Sequence, residues 1–124
     1  FVGGLAGIND AGVIKYCYAR GDVQGGFQDV GGLVGSNAPD SEIVETYATG
    51  NVTGSNSVGG LVGRGQADLV SNSYWDINTT GQNNSAGGVG KTTSEMQNSE
   101  IYSDWDFGTW LISLDGYPIL WCFQ

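Results

Sequence analysis

Histidine is absent from these 124 residues, and Lys and Arg together number only four against 13 Asp and Glu. The first absence removes every Ser-His or Cys-His nucleophile pair and every His-ligated metal. The second leaves a formal net charge of −9. No basic stripe is available to displace counterions from nucleic acid, and an anionic membrane surface would repel the chain. Such acidity serves to keep a β-rich chain soluble. No run of 18 apolar residues occurs, so membrane insertion is not expected. The chain opens at Phe1 with neither an initiator Met nor a signal peptide, which reads as a processed mature chain or a piece of a longer one. Its length suits a single domain, 1–124, with a real core.

Glycine, by contrast, is abundant, at 22 residues. Its placement is periodic. Val30-Gly31-Gly32-Leu33-Val34-Gly35 recurs as Val58-Gly59-Gly60-Leu61-Val62-Gly63 and, with one change, as Val2-Gly3-Gly4-Leu5-Ala6-Gly7. The copies start 28 residues apart, and a worn fourth copy spans 86–90. A fixed period in this range signals stacked structural units. Behind each hexapeptide the segments Ile14–Tyr18, Ile43–Tyr47 and Val70–Tyr74 align. Period-2 reading places Ile14, Ile43 and Val70 on one face with Tyr18, Tyr47 and Tyr74. Ala19-Arg20-Gly21-Asp22-Val23 and Ala48-Thr49-Gly50-Asn51-Val52 follow as a turn and a short strand. Helix suits this pattern poorly, because each interior glycine costs about 1 kcal/mol relative to alanine. Stacked strands suit it well, since glycine lets successive coils approach to about 4.8 Å. The expectation is an all-β chain: a parallel β-solenoid of about three 28-residue coils (1–29, 30–57, 58–85).

The repeated Val-Gly-Gly-Leu-Val-Gly with its Tyr47-Ala48-Thr49-Gly50-Asn51-Val52 partner resembles the GLUG repeat of bacterial and archaeal surface proteins. The resemblance extends into the tail, through Ser73-Tyr74-Trp75-Asp76, Gly87–Thr93, Trp105-Asp106-Phe107, Trp110-Leu111-Ile112 and Gly116–Leu120. It departs at Ala6, Cys17 and Arg20-Gly21-Asp22. What it implies is a repeat scaffold in secreted, adhesin-like proteins, with no catalytic motif to carry over.

Residues 91–124 read as a short helical turn plus a C-terminal cap. Thr92 and Glu95 have capping-box spacing. Trp110, Ile112 and Leu114 alternate, Asp115-Gly116 supplies a turn, and Tyr117 to Trp121 returns along an edge marked by Pro118. This aromatic-rich hairpin is expected to cover the open end of the last coil, where bare strands would otherwise invite pairing. Trp75, standing where earlier coils carry Ala19 and Ala48, announces that the stack is ending. Phe1-Val2-Gly3-Gly4-Leu5 leaves the first coil's edge bare.

No catalytic, cofactor or metal residue set emerges. Asp40 with Glu42 and Glu45, or Asp104 with Asp106, are the only acid-base candidates, and they fall at turns and on solvent faces. Calcium at Asn9-Asp10 or Asn37–Asp40 lacks a regular ligand spacing. Gly87-Gly88-Val89-Gly90-Lys91-Thr92-Thr93 imitates a phosphate loop, but Ser85 stands where its first glycine belongs and no long helix follows. Arg20-Gly21-Asp22 falls on a repeat turn and reads as a chance tripeptide. Cys17 occupies the position of Thr46 and Ser73 in a side-chain column, whereas Cys122 lies about 14 Å away if three coils intervene. Both thiols then stay unpaired, or they bond head to tail between subunits, unless the tail folds back. Asn51, Asn78 and Asn83 head glycosylation sequons. The leading functional reading is an extracellular structural or adhesive module, self-associating end to end as a filament subunit or docking another surface protein. The alternative is a carbohydrate- or ligand-binding module using exposed Trp75, Trp105 or Trp110 on glycans.

Overall fold

Three coils stack in parallel, and like residue lies over like residue. The computed structural model describes residues 1–112 and 116–120. The first coil contributes β1 (Val2–Gly3), β2 (Ala6–Asn9), β3 (Val13–Ala19) and β4 (Val23–Gln24). The second contributes β5 (Val30–Gly31), β6 (Val34–Asn37), β7 (Glu42–Ala48) and β8 (Val52–Thr53). The third contributes β9 (Val58–Gly59), β10 (Val62–Arg64), β11 (Val70–Ser71) and β12 (Tyr74–Asp76). Val2, Val30 and Val58 form one rung, and Ala6, Val34 and Val62 another. Ile14, Ile43 and Val70 align likewise, as do Tyr18, Tyr47 and Tyr74. The fold is a parallel β-solenoid.

The glycine pairs set how closely the coils lie. A Cβ on Gly32 would sit 2.2 Å from the Gly60 carbonyl oxygen of the next coil, and one on Gly4 would sit 2.4 Å from that of Gly32. Inside the coils Leu33, Val34, Ile43, Ala48, Leu61 and Val62 are fully buried, and each large side chain contributes about 1.5–3 kcal/mol of burial. At one corner Asn9 Nδ2 donates to Asn37 Oδ1 at 2.9 Å, and Asn37 Nδ2 donates to the Ser41 carbonyl. This amide ladder satisfies buried polar groups at the bend of the first two coils; the third carries Gly65 there.

One expectation fails inside the long strands. Ile43 belongs to the interior with Ala48 and Trp75, whereas Tyr47 belongs to a separate cluster on the flank. The cause is a backbone kink repeated in each coil: Tyr16, Glu45 and Asn72 have φ of 57°, 50° and 48°. A left-handed residue in mid-strand breaks the two-residue alternation, so side chains before and after it point to opposite sides.

Trp75 closes the third coil as its size suggests. Its indole lies where a Cβ on Gly60 would come within 2.1 Å, and its Nε1 donates to the Gln82 carbonyl at 2.8 Å. Residues 84–91 take up the outer edge of that coil. Gly60 N donates to Asn84 O, Ser85 Oγ accepts from Leu61 N and Val62 N, and Ala86 N donates to Val62 O. After α1 (Ile77–Thr80) comes β13 (Val89–Lys91), which pairs in parallel with β12. Next, α2 (Thr93–Met96) carries the Thr92–Glu95 capping box that the spacing predicts.

The tail ends in the expected hairpin, β14 (Trp110–Leu111) antiparallel to β15 (Ile119–Leu120). Leu114, Asp115 and Trp121, assigned to its turn and return, lie outside the described residues. The hairpin's place differs from expectation. Instead of closing the last coil, residues 97–112 and 116–120 run back over the flank formed by Tyr18, Tyr47 and Tyr74.

One buried charge is weakly matched. Asp29 is fully buried, neither carboxylate oxygen accepts a hydrogen bond among the described residues, and Arg64 Nε at 3.4 Å is its ion-pair partner. The same rung of the next coil carries Ser57. Arg64 is 62% exposed, so water screens its attraction, but without it the buried carboxylate loses its counter-charge, whereas a neutral side chain at position 29 has no charge to desolvate. Arg64→Ala should therefore lower the denaturation midpoint modestly, and Asp29→Ser should leave it level or raise it, as urea titration would read.

Candidate functional site

The most elaborate constellation in the molecule is the aromatic flank. Tyr18 and Tyr47 stack with ring centroids 5.0 Å apart and nearly parallel planes, continuing the coil register as a column of rings. Trp105 lies over Tyr47 and Tyr74, Trp110 over Tyr18 and Tyr47, and Trp105 and Trp110 are 4.6 Å apart. Ring pairs at these separations each add about 0.5–1.5 kcal/mol beyond area burial. Tyr47 sits at the centre. Its hydroxyl donates to the Pro118 carbonyl and accepts from Arg20 Nη2 at 2.7 Å. The Arg20 guanidinium lies 5.0 Å from the Tyr18 ring and 5.4 Å from that of Tyr117, a cation placed against π faces. Glu45, brought outward by its left-handed backbone, accepts from the Asp106 backbone N–H. Trp105 Nε1 donates to the Asn72 carbonyl at the equivalent kink of the third coil. The same kinks that break the alternation thus anchor the tail.

Asp76 ties the end of the third coil to both following segments. It is fully buried and accepts from the Asn78 and Thr79 backbone, from Thr93 Oγ1 at 2.7 Å and from the Tyr117 hydroxyl at 2.6 Å. Burial, and then that bond to Asp76, push the Tyr117 hydroxyl up to about 12. Burial also raises Tyr47, Tyr102 and Tyr74. In the unfolded chain tyrosine ionises near 10. A folded-state value above the unfolded one means stability is intact below about pH 10 and is lost as pH rises beyond it. The melting midpoint should hold steady to about pH 9 and fall between about pH 10 and 12. Circular dichroism melts across that range check the direction.

The sequence-derived candidates are dispersed. Asp40 and Glu42 are exposed, Asp104 and Asp106 are exposed, and Glu45 is buried and engaged by backbone. Among the described residues no group of three or more His, Cys, Asp or Glu could hold a metal ion. Asn9 and Asn37 serve in the amide ladder. Val89–Lys91 is a strand rather than a phosphate loop, and the helix after it has four residues. In Arg20-Gly21-Asp22 the arginine is held by the tyrosines, and Asp22 Oδ1 accepts from Asn51 N at 2.9 Å. Trp75, Trp105 and Trp110 are all buried, which removes the exposed rings that sugar stacking required. Asn51, Asn78 and Asn83 are exposed, although Thr80 of the Asn78 sequon is buried and donates to the Asp76 carbonyl. Cys122 lies outside the described residues. Cys17 forms no disulfide among the described residues; burial raises its thiol, whose Sγ donates to the Lys15 carbonyl. It lines a shallow apolar recess of about 370 Å³ with Leu5, Tyr16, Tyr18 and Leu120. The tail therefore does fold back to the first coil.

The roles of Asp76, Asp29 and Arg20 were missed in the sequence. Asp76 had a faint local signal, an acid immediately before Ile77-Asn78-Thr79-Thr80, the pattern of a helix N-cap.

Residues 2–24 match a family described as the GLUG motif. Over 99 residues the chain is 36% identical to a protein of Evansella cellulosilytica named as a candidate Gly-rich membrane protein, covering 73% of this chain and 11% of that one. A crystal structure of a candidate immunoglobulin A1 protease from Bacteroides ovatus superposes with a TM-score of 0.69, at 22% identity. That superposition covers 97% of this chain and 52% of the other, and the likeness is one of fold. The chain spans about half of the solved structure and a small part of the longer relative.

Proposed function

We propose that this GLUG-repeat chain is a stiff structural module of an extracellular surface protein, acting through shape and stacking rather than through chemistry. The observation that carries the reading is the register: rungs such as Val2–Val30–Val58 and Tyr18–Tyr47–Tyr74 run unbroken through all three coils. Continuous parallel ladders resist bending, and solenoid stability accumulates from neighbour to neighbour. The name of the Evansella relative and the GLUG match support a place at the cell surface. Among the described residues no helix is long and apolar enough to cross a membrane. The net charge of −9 favours solubility at high surface density.

Association belongs to the first coil. Head-to-tail growth of identical copies requires two free ends, and residues 84–91 already occupy the outer edge of the third coil. Adhesion to another surface protein or to glycans would use the flat outer faces. Antibody raised against the folded chain and applied to intact cells of the source organism tests the placement. Staining without permeabilisation is the expected result; staining only after lysis would reject it.

A further inference from the structure

The exposed edge of the first coil carries more than unpaired strands. Leu5 is 48% exposed, whereas its counterparts Leu33 and Leu61 are fully buried, and Phe1 and Val13 are 61% exposed. Exposure alone does not say what covers an edge. Two glycines do.

A Cβ on Gly35 would lie 2.6 Å from the Gly7 carbonyl oxygen and 2.7 Å from Val2 N, both in the preceding coil. One on Gly63 would lie 2.6 Å from Val30 N and 2.7 Å from the Gly35 carbonyl oxygen. In each, the coil before supplies two of the three nearest atoms, and the third is the carbonyl oxygen six residues earlier, Asp29 at 2.7 Å or Ser57 at 2.6 Å. Gly7 holds the same position in the first coil, and a Cβ there meets chiefly the carbonyl oxygen of the exposed Phe1, at 3.1 Å. The turn repeats the pattern. A Cβ on Gly50 would lie 1.9 Å from the Gly21 carbonyl oxygen of the preceding coil, whereas one on Gly21 meets nothing within 4 Å. Neither Gly7 nor Gly21 has a positive φ. At the turn the first coil therefore keeps a glycine whose steric reason is a coil not present, and at Gly7 only the looser contact with Phe1 remains of the three that crowd its counterparts. The corner ladder has the same one-sidedness: Asn9 Nδ2 is used three times, while its Oδ1 accepts no hydrogen bond among the described residues.

We infer that the outer edge of the first coil is a docking surface for one further coil of the same repeat, stacked in parallel and in register. The occupant must bring a glycine pair over Gly3-Gly4, an apolar residue over Leu5 and a side-chain amide donor over Asn9. The third-coil edge cannot supply it, since its partners are already in place. This inference rests on the reading of the chain as a structural module, but its test is independent of cellular location.

The test compares the 124-residue chain with the same chain carrying residues 1–29 placed directly before Val2. In the 124-residue chain Gly21→Ala should leave the melting midpoint unchanged and Gly7→Ala should lower it less than Gly35→Ala does, while Gly35→Ala and Gly50→Ala lower it strongly. In the extended chain, alanine at the inner copies of Gly7 and Gly21 should lower the midpoint as Gly35→Ala does. Hydrogen exchange of the outward amides in residues 13–19 should slow by about tenfold or more on extension. Unchanged exchange, or inner glycines that still accept alanine freely, would overturn the inference. So would a concentration-dependent dimer of the 124-residue chain with those amides protected, because it would assign the edge to a second copy.

Discussion

Gly32→Ala should be among the most damaging single changes in this chain, costing about 3 kcal/mol or more. The added Cβ would lie 2.2 Å from the Gly60 carbonyl oxygen and 2.9 Å from Ala48 Cβ. No flexible side chain can yield there; two coils must separate. Separation lengthens the neighbouring hydrogen bonds, Gly32 N to Gly59 O and Leu33 N to Leu61 O, and loosens the fully buried Leu33 and Leu61. Gly26→Ala serves as the control, because a Cβ there meets nothing within 4 Å, and its effect should stay within about 0.5 kcal/mol. Urea denaturation followed by circular dichroism gives both values. Equal midpoints for the two variants would mean that the coils do not lie this close.

Tyr47→Ala should cost about 3–5 kcal/mol, the range for emptying a buried aromatic site. Tyr47 is fully buried and in ring contact with Tyr18, Trp105, Trp110 and Tyr117. Its loss removes the platform on which the returning tail rests, so Trp105 and Trp110 should become solvated. Their fluorescence should shift to the red, while the far-ultraviolet signal of the stacked strands persists. Tyr47→Phe keeps the ring and isolates the hydroxyl, which bridges Arg20 and the Pro118 carbonyl. Leaving such partners unmatched costs about 1–3 kcal/mol. A Tyr47→Ala protein with unshifted tryptophan emission would place the tail elsewhere.

Much of the architecture was legible because it repeats. A glycine pair recurring with an apolar pair and a tyrosine fixes both the parallel stacking and the pairing partners, down to Tyr18 against Tyr47. Trp75 in an alanine column marks the coil where the core widens, its indole packed over Gly60. The facing of the tyrosines was not legible. Period-2 reasoning assumes unbroken extended backbone, and the residues that break it are Tyr16, Glu45 and Asn72. Tyr16 and Glu45 carry no residue-type mark of a left-handed turn and Asn72 only asparagine's general tolerance of it; such a residue costs on the order of 1–3 kcal/mol and is sustained by surrounding contacts. The tail's destination was hidden for a related reason. Alternation in Trp110 and Ile112 identifies a strand, but the surface it covers depends on where Tyr47 and Glu45 point. The flank became an aromatic platform only because the kinks turn it outward. Asp76 escaped for want of any local cue to Tyr117, 41 residues away.

Backbone proximity between successive coils is open to direct measurement by amide-detected NOE spectroscopy on uniformly labelled protein. Contacts should link Val2 to Val30 and Val30 to Val58, in parallel register, with Tyr18 to Tyr47 and Tyr47 to Tyr74 on the flank. Absence of the Val30 to Val58 contacts, or an antiparallel pattern through the same residues, would contradict the stacked solenoid and everything built on it.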